Sequence, residues 1–139
     1  MAAKRKTWAE KMNPDAEPKV KKVDSDFADI PAGATMLIAT PNIVDDYIRH
    51  IPKGTTTTLQ QMRKDLAAEY NAEFMCPVTA GIFLRIVAEN AYEEYQKGKP
   101  VSKIAPFWRM IDKKSPPIKK LTFGADFVLE QRQKEKISA

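Results

Sequence analysis

The sequence predicts a mainly α protein with a small β component: a winged helix-turn-helix-like domain over residues 34–139, behind a charged, flexible, basic tail over residues 1–33. Three observations predict it. From Ala34 onward, apolar residues recur at helical spacing between recognisable start and stop signals. The order is helix, turn, long apolar helix, then two short apolar runs around a basic turn, the order of a winged helix-turn-helix. Residues 1–33 carry mixed charge, three prolines and few core-type side chains, too little apolar surface to offset their ordering entropy.

Within the tail, basic clusters at Lys4–Lys6 and Lys19–Lys22 read as solubilising charge, with phosphate contact or a nuclear address as the sharper alternative. A short helix is expected around Trp8. "TMLIAT", 35–40, reads as a strand ended by Pro41. "PNIVDDYIRHI", 41–51, places Ile43, Val44, Tyr47, Ile48 and Ile51 on one helical face, leaving Asp45, Asp46, Arg49 and His50 wet. Thr58 caps the next helix, "LQQMRKDLAAEY", whose Leu59, Met62, Leu66 and Tyr70 form a buried stripe.

"VTAGIFLRIVAENAYEEYQKG", 78–98, is the most apolar segment, with Pro77 suited to its first turn and Gly98 to its stop. At about 100° per residue, Ile82, Phe83, Ile86, Val87 and Asn90 share one face, which Leu84, Ala88 and Ala91 widen. A narrow stripe of Gly81, Arg85, Glu89, Tyr92 and Gln96 is left for solvent or a ligand, with Thr79 and Ala80 at an exposed first turn. After the loop "GKPVSKI", the segments "APFWRMI" and "PPIKKLTF" are expected as two strands of a wing around "DKKSPP". "GADFVLEQRQKEKI" closes the domain as a helix.

Composition excludes several chemistries. One cysteine, Cys76, and one histidine, His50, cannot build an internal disulfide or a Cys/His zinc site, and no cofactor or metal is expected. No apolar run approaches the roughly 20 residues of a membrane span, and the start lacks a secretory pattern, so a soluble, cytoplasmic protein with no membrane partner is the expectation. A net charge of +5 and a pI of about 9.3 invite an anionic partner.

Three stretches carry a resemblance covering roughly the last hundred residues. "IPKGTTTTLQQM" has an apolar residue, a turn ending in glycine, threonines, then a helix; "CPVTAGIFLRIVAEN" is a proline-led helix of small residues ending in Asn90; "APFWRMI" follows at the right spacing. Together they resemble the DNA-binding domain of the alkylguanine-DNA alkyltransferases and the related alkyltransferase-like proteins. In that family the third stretch holds a Pro-Cys-His-Arg-Val reactive motif, whose thiolate accepts the alkyl group with help from the histidine.

Here Phe107 stands at the cysteine position and Trp108 at the histidine position, so the resemblance implies a relative without alkyl-transfer activity. Gly81 aligns with the family's arginine finger and Leu59 with its nucleotide-rotating tyrosine. Pro106, Arg109 and Asn90 keep the frame, and Glu135 stands where a supporting glutamate is expected. The implied partner is DNA, approached in the minor groove by Thr79, Ala80, Gly81 and Arg85, with Lys113, Lys114, Lys119 and Lys120 on phosphates, in lesion sensing or DNA repair. Phe107 and Trp108 then either stack on a base or plug the pocket and join the core. A protein-interaction scaffold that kept the fold and lost DNA recognition is the alternative, with Glu89, Glu93 and Glu94 suited to a protein partner. For Cys76 the expected role is that of an inert, small apolar residue.

Overall fold

Helices dominate the computed structural model, which describes residues 7–12 and 15–137. The elements run α1 (Trp8–Lys11), β1 (Lys19–Lys22), β2 (Thr35–Ile38), α2 (Pro41–Arg49), α3 (Leu59–Glu69), β3 (Phe74–Met75), α4 (Pro77–Gln96) and α5 (Asp126–Lys134). Three 3₁₀ turns, Val101–Lys103, Phe107–Arg109 and Pro116–Lys120, fill the stretch between α4 and α5.

The helix starts follow local chemistry. Thr40 and Thr58 cap α2 and α3, their hydroxyls accepting from the N–H of Ile43 and Gln61 at 3.2 and 3.0 Å. Pro41 and Pro77 sit in the first turns of α2 and α4, where an N–H has no intrahelical acceptor to lose. Both α2 and α3 pack on α4, and the Tyr47 hydroxyl joins the first two by donating to Asp65 at 2.6 Å.

β2 is the hinge of the sheet. It pairs antiparallel with β1, Val20 opposite Leu37, and parallel with β3, Leu37 opposite Met75. Its side chains alternate between two cores: Leu37 enters the main one with Val44, Ile48, Met62, Leu66 and Leu84, while Met36 enters a smaller one with Val23, Ile30, Ala34 and Cys76.

The described part of residues 7–33 packs on the rest of the chain. β1 takes backbone partners from β2, Val23 and Ile30 are buried, and Arg63 holds Asp29 through two hydrogen bonds of 3.0 and 2.9 Å. The hydrogen bonds from Arg63 keep the Asp29 carboxyl below the ordinary range despite some desolvation. Composition judges a segment by what it can bury against itself; here the acceptor surface is supplied by β2, α3 and β3. The cluster Lys4–Lys6 lies outside the described residues.

The expected wing strands are corrected. "APFWRMI" and "PPIKKLTF" form 3₁₀ turns, because Pro106, Pro116 and Pro117 remove the N–H groups that a two-stranded ladder needs.

A basic groove and a closed aromatic site

Three helices and two turns surround a groove of about 1120 Å³. α3 contributes its N-terminal end, Thr58 to Gln60, and Arg63; α4 contributes Val78, Gly81, Ile82 and Arg85. α1 adds Trp8 and Lys11, and the Pro116–Lys120 turn with the residues before it adds Lys114 and Lys120. Arg63, Arg109 and Arg132 reach its lining but are engaged elsewhere, Arg63 with Asp29 at 2.9 Å, Arg109 with Glu135 and Arg132 with the Trp108 carbonyl at 2.7 Å. Asp112 is the single acid among the lining residues. Burial opposes its ionisation, yet the N–H of Lys114 and the hydroxyl of Ser115 outweigh that and hold its carboxyl below the ordinary range. Basic side chains therefore outnumber acidic ones in the lining.

Of the residues assigned to DNA contact, the structure brings Gly81, Arg85, Lys114 and Lys120 to one groove. A Cβ built on Gly81 meets no atom within 4 Å, so this position opens onto free space. Thr79 is half-buried, and Ala80 is fully buried in the main core rather than exposed at the tip. Lys113 and Lys119 are exposed but lie outside the groove lining.

The wheel also misplaces two α4 residues. Ile82, expected in the core, is 50% exposed on the groove, and Glu89, expected on the wet stripe, is buried. Glu89 accepts from the Thr122 N–H at 3.0 Å and from its hydroxyl at 2.6 Å, so the segment after the Pro116–Lys120 turn is tied to α4 by a carboxylate. Arg85 Nε lies 3.8 Å from Glu89 Oε2, the pairing expected at that spacing.

The segment "APFWRMI" forms the second site. Successive residues of a 3₁₀ turn point about 120° apart rather than to opposite faces, which lets both aromatics turn inward. Phe107 is wholly buried and Trp108 is 2% exposed. Their rings meet edge to face at 5.5 Å, and Phe127 stacks on Phe107 at 5.9 Å. A ring this buried offers no face to a base. Asn90 is half-buried on α4, outside the lining of the groove.

Beside the rings lies a buried ionic network. Glu135, directly after α5, accepts from Trp108 Nε1 at 2.7 Å, from Arg109 Nε and Nη2 at 2.9 Å each, and from the Gly54 N–H at 2.9 Å. Arg109 also donates to the Ile51 carbonyl at 2.7 Å. Gly54 has φ +82, the left-handed conformation that glycine adopts without strain, and this aims its N–H at the carboxylate. Burial pushes against the Glu135 charge, but the bonds from Arg109, Gly54 and Trp108 together hold its carboxyl below the ordinary range.

Compared with protein-family models, curated proteins and solved structures, the chain matches none of them. The chemistry of the two sites therefore rests on their residues. Glu135 has its roughly four acceptor positions occupied and keeps none for a substrate proton. Cys76 is buried in the smaller core at 5% exposure, where a thiol behaves as a small apolar group. Among the described residues no cluster of three or more His, Cys, Asp or Glu could hold a metal, and no helix is long and apolar enough to cross a membrane.

The sequence reading missed Trp8, Lys11 and Arg63 as groove residues. Arg63 carries no local signal, being one basic residue on the polar side of a helix. Trp8 did carry one: a large aromatic in an otherwise polar segment.

Proposed function

We propose that this chain is a non-catalytic DNA-binding protein of the alkyltransferase-like kind, acting in lesion sensing or DNA repair. The groove supports the reading: cationic side chains from α1, α4 and the segment 114–120 converge on one concavity whose lining holds a single acid. In this reading α3 and α4 act as a helix-turn-helix, and the Pro116–Lys120 turn stands in the place of a wing. The α4 N-terminal half faces the minor groove, with Gly81 permitting close approach and Arg85 one turn further along. Lys114 and Lys120 take phosphates and carry no sequence information. Lys113 and Lys119, exposed in the segment 113–120, extend the field toward flanking phosphates.

No alkyl transfer belongs to this function. Phe107 and Trp108 occupy the reactive positions as core residues, and Glu135 and Arg109 survive as a structural clamp. Incubation with an alkylguanine oligonucleotide is expected to leave Cys76 unmodified by intact-mass measurement; an adduct on Cys76 would overturn the non-catalytic assignment.

Val78 and Ile82, 54% and 50% exposed at the groove, favour a second reading, a protein partner seated on α4. A fluorescently labelled duplex titrated with the protein at about 50 and about 200 mM salt separates the two, since phosphate-driven binding collapses over that range. Binding that resists the salt step, or none at the lower salt, favours the protein partner.

A further inference from the structure

One wall of the groove comes from α1, and its contacts do more than close a side. Four residues of helix do not persist by themselves. α1 is held in part by its capping box, Thr7 with Glu10, and in part by Met12, which is buried in the main core at 8% exposure. With these anchors Trp8 comes to rest against α4. Lys11 Nζ lies 4.2 Å from the Trp8 ring centroid, and the Arg85 guanidinium carbon lies 5.4 Å from it. All three residues line the groove.

Two cations gathered on one indole need a reason, because like charges repel at this range. The electron-rich face of the ring attracts each of them, and so sets their positions. Arg85 Nε also lies 3.8 Å from Glu89 Oε2, a carboxylate whose shorter contacts go to Thr122 at 2.6 and 3.0 Å, and Glu10 accepts from the Thr7 N–H at 3.0 Å. The Arg85 side chain remains 36% exposed, on the same groove as Lys114 and Lys120.

We infer that α1 is part of the nucleic-acid site, with Lys11 and Arg85 forming a phosphate-binding pair that the Trp8 ring positions. The inference rests on the DNA-binding reading above. Arg85 supplies a planar fork suited to phosphate oxygens, and Lys11 a point charge beside it. The occupant is a polyanionic strand, by charge complementarity with the groove.

The test uses the full chain with a fluorescein-labelled duplex, titrated over a range of salt. Lys11→Gln is expected to make the slope of log affinity against log salt shallower by about 1, with the same loss on every duplex sequence. Trp8→Ala is expected to weaken binding by releasing both cations, whereas Trp8→Phe, which keeps an aromatic face, stays nearer the wild type. DNA is also expected to shield Trp8 from acrylamide quenching; Trp108, 2% exposed, contributes little to the quenchable signal, and Trp8→Phe identifies the shielded component. An unchanged slope in Lys11→Gln, alongside wild-type binding, overturns this inference alone. Tighter binding by Trp8→Ala also overturns it, because α1 is then a cover over the groove. If the wild type binds no duplex, the DNA-binding reading fails and this inference fails with it.

Discussion

The Trp108 indole N–H donates to Glu135 Oε2 at 2.7 Å, joining two residues 27 positions apart. The bond ties the Phe107–Arg109 turn to the end of α5; Arg109 ties the same carboxylate to the Ile51 carbonyl after α2, and the Gly54 N–H donates to that carboxylate directly. Trp108, Arg109 and Glu135 thus form a structural joint.

That joint sets the first expectation. Arg109 is 13% and Glu135 6% exposed at the side chain, so Glu135→Gln leaves a buried guanidinium without its counter-charge. A loss of about 3–5 kcal/mol is expected in urea denaturation. In a double-mutant cycle with Arg109→Met, the coupling is expected at about 0.5–3 kcal/mol. Purely additive effects would mean that the two side chains do not act as a unit.

The pH dependence has a definite sign. The folded-state pKa of Glu135 lies below its ordinary value of 4.5, so in that interval the unfolded chain binds the proton more readily. Its stabilising contribution is complete above the ordinary carboxylate range and is lost as pH falls through the depressed folded value. Wild-type stability is therefore expected to drop on acidification more steeply than that of Glu135→Gln. Parallel acid limbs for the two proteins would contradict the assignment.

Phe107→Ala separates the two sites. It removes a wholly buried ring from the cluster with Trp108, Phe123 and Phe127, and about 3–5 kcal/mol of stability is expected to go with it. Phe107 lies outside the groove lining, so variant that remains folded is expected to bind DNA as the wild type does. Selective loss of DNA binding by folded protein would place the functional site at the aromatics instead.

Gly81→Arg is a gain-of-function expectation. The position opens onto free space in the groove, and a residue other than glycine in a helix interior gains about 0.5–1 kcal/mol of stability. Tighter duplex binding and a salt slope steeper by about 1 are expected. Weaker binding by this variant would mean that DNA does not enter on this side of α4.

The helices were legible because their signals are local. Pro41, Thr58 and Pro77 mark starts that the structure confirms, and the spacing of Val44 with Ile48, or of Met62 with Leu66, marks faces that it buries. Glu89 was not legible, because a wheel sees a carboxylate and not the Thr122 N–H and hydroxyl that reach it from 33 positions away. β1 was not legible either: its four residues are all exposed, so "KVKK" has no buried alternation, and its pairing with β2 is what makes it a strand. Phe107 and Trp108 were expected on a wing strand, but a 3₁₀ turn carries them and buries both rings. The groove was half legible. Gly81, Arg85, Lys114 and Lys120 came from the residues and the resemblance, while Trp8, Lys11 and Arg63 depend on docked segments and tertiary placement.

The most direct measurement is the salt dependence of duplex binding by the wild type and by Lys114→Gln/Lys120→Gln, both followed by fluorescence anisotropy. With about four phosphates neutralised, the wild-type slope of log affinity against log salt is expected at about −3 to −4. The double variant, lacking two of those contacts, is expected at about −2. A flat wild-type dependence, or equal slopes for the two proteins, would contradict the claim that this groove holds DNA.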